Sequence, residues 1–282
     1  MLRVFKNPQT IVATVAILLV AFGIQASLVG QGEAISQKLG TDLVTASTLV
    51  HITSATPAQI TPAGQPSPPA VAPSLPPLPP KPTIDCGAQQ CLALTFDDGP
   101  TAAITPRVLD ILEKYGVHAT FFVVGSRVRG DEALLQRMNQ DGDEIGSHSW
   151  SHANLTKLSV QQIKDEVSLA QAAIMDANVP APTIFRPPYG AVNSTVEANV
   201  PMALAMWNVD PDDWKAKSPQ EIVDKVKANS RPGRVIVLHD QRQMTVDALD
   251  KLIPDLKTQY QLVTFSEMFN LAPGQRGYFY GR

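Results

Sequence analysis

The chain has 282 residues, with 23 Lys+Arg against 26 Asp+Glu, a net charge of −3, 24 Pro and two Cys. A slightly acidic chain without a basic cluster excludes nucleic acid as its main partner, and two cysteines exclude a disulfide-built mini-protein or a multi-cysteine zinc module. A hydrophobic content of 44% excludes disorder of the whole chain, while the charged fraction of 17% is low and unevenly distributed.

Arg3 and Lys6 precede a stretch, residues 7–32, that carries no charge and is strongly apolar over 11–24. A cationic start followed by an apolar run is an export signal. At about 20 apolar residues, the stretch is also long enough to stay as a single-pass membrane anchor over residues 11–30. The cations in front then place the rest of the chain outside the cytoplasm. Residues 57–82 hold 11 prolines among Ala, Ser, Thr, Gln and Val. Proline lacks an amide donor and fixes φ, so residues 33–82 read as an extended spacer that builds no core. The chain thus divides into a leader or anchor (1–32), a Pro-rich spacer (33–82), a folded domain (83–271) and a tail (272–282) with no evident role. Residues 83–282 carry 19 basic and 24 acidic side chains, net −5.

Within the domain, apolar runs suited to buried strands fall at 91–96, 119–124, 144–146, 183–186, 203–209, 235–238 and 261–265. Helix signals alternate with them. Thr105-Pro106 predicts the start of a helix that Gly116 stops, and Asp131 predicts the cap of one over 132–140. Ser159 with Gln162 forms a capping-box pattern for a helix reaching 177, and Ser218-Pro219 with Glu221 does the same for the next. The last helix is expected over 246–258, with a kink at Pro254. Seven strands alternating with helices imply a parallel sheet, open or closed into a barrel, with chemistry at the C-terminal strand ends.

Those strand ends are unusually rich in ionisable residues. The first ends in Asp97-Asp98-Gly99-Pro100, which reads as a turn or, if Gly99 and Pro100 bend the chain sharply, as two carboxylates in one cleft. The third ends in His148 and His152, spaced i, i+4; on a helical turn this spacing brings both rings to one face, a geometry suited to one metal ion. Asp98 or Asp97 is the candidate third ligand. Two His and one carboxylate leave zinc an open position for water. The fourth strand ends in Arg186-Pro187-Pro188-Tyr189-Gly190, the fifth in Asp210-Pro211-Asp212-Asp213-Trp214 and the sixth in Leu238-His239-Asp240. A core does not need ionisable groups on five of seven strand ends, whereas a cleft does. His118, at a strand entrance, and His51, before the spacer, are assigned no role.

These motifs, in this order, resemble the polysaccharide deacetylases with a NodB-type homology domain, carbohydrate esterase family 4. The resemblance spans roughly 85–270 and rests on Thr95-Phe96-Asp97-Asp98-Gly99-Pro100, His148-x-x-x-His152, Arg186-x-Pro188-Tyr189-Gly190, Asp210-x-x-Asp213-Trp214 and Leu238-His239. It implies a distorted (β/α)7 barrel. It implies Asp97 as general base, with Asp98, His148 and His152 as ligands of a divalent metal, most often zinc, with cobalt as an alternative. Tyr189 would contribute its amide to an oxyanion hole and His239 would be the general acid. Arg186 would orient Asp97, Asp213 would tune His239, and Pro188, Trp214 and Leu238 would belong to the substrate pocket. Asp212 is an extra acid in the fourth motif, expected to face solvent.

The implied activity is removal of N-acetyl groups from glycans by an exported enzyme, extracellular or cell-wall associated. Peptidoglycan is the leading substrate and chitooligosaccharides follow. A monomer is the expected state. An O-acetyl xylan esterase on the same constellation and a non-catalytic glycan-binding module are the alternatives; the second would have lost a ligand, the base or the acid. Arg186 is expected to hold Asp97 charged and Asp213 to raise the pKa of His239. Asp97→Asn and His239→Ala are expected to abolish most turnover and leave the fold intact. Cys86 and Cys91, with four residues between them, are expected to form a disulfide in an exported chain.

Overall fold

The computed structural model describes residues 84–272 and 274–281. The leader, the candidate anchor, the spacer and His51 lie outside the described residues. Strand β1 (Cys91–Asp97) is buried at every position, which is why its sequence is almost continuously apolar rather than alternating. It lies next to the β6 end of the sheet, paired with β6 (Arg234–His239) on one side and with β2 (Thr120–Val123) and β7 (Gln261–Val263) on the other. From β2 the sheet continues through β3 (Glu144–Ser147), β4 (Ile184–Phe185) and β5 (Ala203–Ala205) to β8 (Tyr278–Phe279), and every pairing is parallel. Val209, just past β5, bridges to Ile236 of β6 and curls the sheet towards itself. The result is the distorted (β/α)7 barrel architecture, with one strand more than expected.

Helices α1 (Thr105–Tyr115), α2 (Glu132–Asp141), α3 (Val160–Asp176), α4 (Ser194–Asn199), α5 (Pro219–Asn229), α6 (Gln243–Lys257) and α7 (Phe265–Phe269) connect the strands. Gly116 closes α1 at φ 57, a left-handed position that glycine occupies without a Cβ penalty. The capping box of Ser159 and Gln162 is present on α3. Thr105, by contrast, does not cap α1: it is the first helical residue and fully buried, and its hydroxyl is used elsewhere. Helix α6, expected as the last, starts three residues earlier than expected, runs through Pro254 and is followed by the short α7. The fifth and seventh strands are shorter than their apolar runs. Met206–Asn208 leave the ladder after β5, and Thr264 becomes the N-cap of α7, ending β7. β8 lies in the residues read as a tail, and its pairing with β5 makes them part of the sheet.

The period-2 alternation of each strand sorts the core into two layers. Leu92, Leu94, Phe96, Phe121, Val123, Ile236 and Leu238 face the helices in the main apolar cluster. Ala93, Phe122, Ile184, Ala203, Ala205, Val235 and Phe265 fill the barrel interior. Gly146 belongs to this inner layer: a Cβ there would meet the Phe122 ring at 2.6 Å and Ile184 at 3.0 Å. Counting on from these interior positions puts Asp97, His148, Arg186 and His239 on the inward side at the C-terminal mouth. The site is a consequence of strand parity.

Candidate active site

Asp97 and His239 are register partners on the paired strands β1 and β6. Asp98 follows at φ 75, outside the strand conformation, and this turn brings the second carboxylate to the same mouth. The two histidines meet differently from the helical-turn expectation. Residues 148–152 are a loop in which Ser149 (φ 65) and His152 (φ 61) are both left-handed, and the His152 amide donates to Ser149 Oγ at 3.0 Å. The rings end 4.9 Å apart, centroid to centroid.

Arg186 is wholly buried at the end of β4. Its Nη1 donates to Asp97 Oδ1 at 2.6 Å and to Thr95 Oγ1 at 2.8 Å, and its Nε donates to the Ala205 carbonyl at 3.0 Å. The guanidinium stacks 3.9 Å above the Phe122 ring. Burial is the largest influence on Asp97 and pushes its carboxyl above the ordinary carboxylate range, with Arg186 and His239 pulling the other way. Arg186 favours the charged carboxylate as expected, but burial outweighs it, and a more basic carboxylate is the better proton acceptor.

His148 Nδ1–H donates to the Arg186 carbonyl at 2.7 Å, because a carbonyl only accepts; this turns Nε2 towards the aspartates. Burial pulls its pKa from 6.5 to about 3, so the ring is neutral, the form that binds metals. Its Nε2 lies 3.6 Å from Asp98 Oδ1 and 3.7 Å from Asp97 Oδ2, and His152 Nε2 lies 3.1 Å from Asp98 Oδ1. Asp98 Oδ1 is itself buried and has no hydrogen-bond partner. Among the described residues, Asp98, His148 and His152 form a cluster whose ligand atoms lie within 4.8 Å of one another. Two imidazole nitrogens around an otherwise unsatisfied carboxylate oxygen fit a divalent metal of zinc type.

His239 is held from the other side. Its Nδ1–H donates to Asp213 Oδ1 at 2.6 Å and its backbone amide to Asp213 Oδ2 at 2.8 Å. The Thr245 hydroxyl donates to the same Oδ2 at 2.6 Å. Burial pulls the imidazole down, but the hydrogen bond and charge of Asp213, with Asp97 and Asp98 behind, outweigh it and raise the pKa from 6.5 to about 9.

The expected pocket residues divide. Tyr189 (φ 61, 68% exposed) packs edge-on against His152 at 4.7 Å, and Trp214 is 51% exposed with Lys215 Nζ 4.9 Å from its ring centroid. Pro188 is buried beneath Tyr189 in the turn Pro188–Gly190. Leu238, expected to face substrate, has no exposed surface and packs in the main core, because strand parity turns it away from His239. Asp212 pairs with Lys215 at 2.9 Å and Lys225 at 3.5 Å. His118 precedes β2, at the opposite end of the sheet. Cys86 and Cys91 are bonded, with S–S 2.01 Å.

Asp240 carried no assigned role. It is 1% exposed, accepts the Thr105 hydroxyl at 2.6 Å and lies against Gly99, where a Cβ would meet Asp240 Oδ2 at 2.2 Å. Burial is the main reason its pKa rises to about 7. It shapes the turn after Asp98. Adjacency to His239 was its only signal in sequence.

A buried carboxylate held by an arginine, a histidine held by a second carboxylate and a cluster able to hold a metal ion meet at one mouth of a parallel barrel. Comparison with known proteins agrees. The family model described as polysaccharide deacetylase matches residues 85–203. A peptidoglycan-N-acetylmuramic acid deacetylase of Bacillus subtilis is 45% identical over 192 residues, covering 68% of this chain and 41% of its own length. A peptidoglycan-N-acetylglucosamine deacetylase of Bacillus cereus is 37% identical over 189 residues, covering 64% of this chain and 88% of its own. The solved structure of a T48 deacetylase with substrate superposes with a TM-score of 0.66 at 38% identity, over 69% of this chain and 99% of that one. The chain belongs to the polysaccharide deacetylase family.

Proposed function

We propose that this chain is an exported, metal-dependent deacetylase that hydrolyses N-acetyl groups of cell-wall glycan, with peptidoglycan as its main substrate and chitooligosaccharides as smaller ones. The observation that carries the reading is the pairing of Asp97 with His239 across two hydrogen-bonded strands, beside Asp98, His148 and His152. A divalent metal held by Asp98, His148 and His152, zinc in our reading, would polarise the acetyl carbonyl and acidify a water. Asp97, basic through burial and aimed by Arg186, takes the proton from the attacking water. The Tyr189 amide donates to the carbonyl oxygen as it gains charge, a contribution of about 3 kcal/mol when preorganised. Protonated His239 gives its proton to the departing amine, without which the C–N bond does not break. The exposed Tyr189 and Trp214 rings give the sugar apolar faces on either side of the acetyl group.

The leader and Pro-rich spacer support action outside the cytoplasm, with residues 11–30 as an anchor and the spacer as a leash reaching into the wall; a monomer suffices, because all of the proposed groups come from one chain. The chain spans 41% of the length of the Bacillus subtilis relative, and peptidoglycan as substrate rests on the leader and spacer that would place the domain beside a cell wall. Acetate release from peptidoglycan, chitooligosaccharides and acetylated xylan, before and after chelation and zinc repletion, tests the reading. Release from peptidoglycan that chelation stops and zinc restores is expected. Full activity in metal-free protein refutes the metal site, and release from xylan alone makes the protein an esterase.

A further inference from the structure

The Asp98 carboxylate has two oxygens with different surroundings. Oδ1 faces the two histidine nitrogens and has no hydrogen-bond partner, whereas Oδ2 accepts from Gln241 Nε2 at 2.7 Å. Gln241 lies in the loop after β6, far from Asp98 in sequence, and its other amide atom is equally committed: Oε1 accepts from Arg127 Nη1 at 3.1 Å. A guanidinium only donates, so Arg127 fixes which way the Gln241 amide points, and its NH2 group is turned to Asp98. Arg127, at the end of the short turn Gly125–Arg127 after β2, also donates through Nη1 to the backbone carbonyl of Asp98, the residue held at φ 75.

Loops from three strands therefore converge on one ligand. We propose that Gln241 and Arg127 are positioning residues for the metal site, locking the Asp98 carboxylate so that Oδ1 alone is presented to the ion. This rests on the reading that Asp98, His148 and His152 hold a divalent metal. Without Gln241, the carboxylate can rotate and either oxygen can turn towards the histidines; without Arg127, the Gln241 amide can flip and set its oxygen against Oδ2. Partners of this kind typically contribute about 10- to 100-fold in metal affinity.

The test is zinc affinity of the full chain, stripped of metal and titrated with Zn2+ alone against a chromophoric chelator. Gln241→Ala, Gln241→Glu and Arg127→Ala are compared with the parent, with a melt of each metal-free protein alongside. Each single change is expected to weaken zinc binding by about 10- to 100-fold. Gln241→Glu, which keeps the length but replaces the donor by an acceptor, should not rescue. The Gln241→Ala, Arg127→Ala double change should be no weaker than the worse single one, because both act on the same carboxylate. Melts of the metal-free proteins should stay close to that of the parent, which separates positioning from a general structural role. Unchanged zinc affinity in the Gln241 and Arg127 variants, with one zinc bound by the parent, overturns the inference and leaves the metal reading standing. A parent chain that takes up no zinc overturns both. If Gln241→Ala fails to fold, Arg127→Ala decides by the same readout.

Discussion

Replacing Asp213 by Asn should move the alkaline limit of activity to lower pH. The Asp213 side chain is fully buried and accepts from the His239 ring, the His239 backbone and Thr245. Burial, the largest single influence on His239, favours the neutral ring; Asp213 is the main counterweight, and the outcome is a pKa raised from 6.5 to about 9. That rise corresponds to about 3 kcal/mol of preference for the charged ring. In the Asn variant the burial effect loses its main opponent, and the ring should titrate at 6.5 or below. At pH 8 a ring of pKa 9 is about 90% protonated and one of 6.5 about 3%, so proton delivery falls about 30-fold. At pH 6 the same comparison leaves less than about a twofold deficit. Acetate release followed from pH 5 to 10 reads this directly, and NMR titration of the ring in metal-free protein reads it without turnover. Stability should follow the same linkage. The folded-state pKa lies above the unfolded value, so the contribution is complete below pH 6.5 and is lost as pH rises towards 9. The parent should therefore weaken across that window and the variant should not. A rate deficit that is the same at every pH, or an alkaline limit that stays near 9, refutes the reasoning.

Asp97→Asn should cut acetate release by about a thousandfold. It should also lower stability, by about 3 kcal/mol in urea melts, because Arg186 is fully buried and loses its charge partner; an unchanged melt would show that Arg186 does not depend on that charge. Gly99→Ala should cost about 1–3 kcal/mol, since its Cβ would fall 2.2 Å from the Asp240 carboxylate; equal stability in thermal and urea melts would mean the turn has room to yield. Cys86→Ser should cost about 2 kcal/mol, the closure entropy of so short a loop. A mass gain of two hydrogens on reduction of the parent confirms the bond, and a variant as stable as the parent would show the clamp to be dispensable.

The parts of the site that were legible from sequence are those fixed by strand ends and by parity. Asp97, His148, Arg186 and His239 each terminate an apolar run, and the alternation behind them turns all four inward. The parts that were not legible depend on contacts made across the barrel. The role of Asp240 follows from Gly99 lying against it, and the role of Gln241 from β1 and β6 being neighbours; neither leaves a local pattern. The rings of His148 and His152 converge as their spacing implies, but not on a helical turn. The i, i+4 spacing is a genuine helical pattern, but two left-handed residues produce the same convergence by another path. Leu238 shows the limit of transferring a role by motif, since one step along β6 exchanges the cleft for the core. β8 escaped notice because a two-residue strand has no periodicity to read.

The placement of the proposed base and acid on adjacent strands has a consequence for engineering. Asp97 and His239 are opposite one another in a parallel ladder, so the spacing of their backbones is a constant of the β-sheet, about 4.8 Å, and is not set by any loop. The surfaces that would recognise a glycan, around Tyr189 and Trp214 and along residues 191–199, hang from other points of the scaffold. Grafting or lengthening those loops can retarget the domain to a different polymer without retuning the distance over which the two protons are handled. A barrel built this way separates what is bound from what is done, and that makes it a practical starting point for engineering new acetylated substrates.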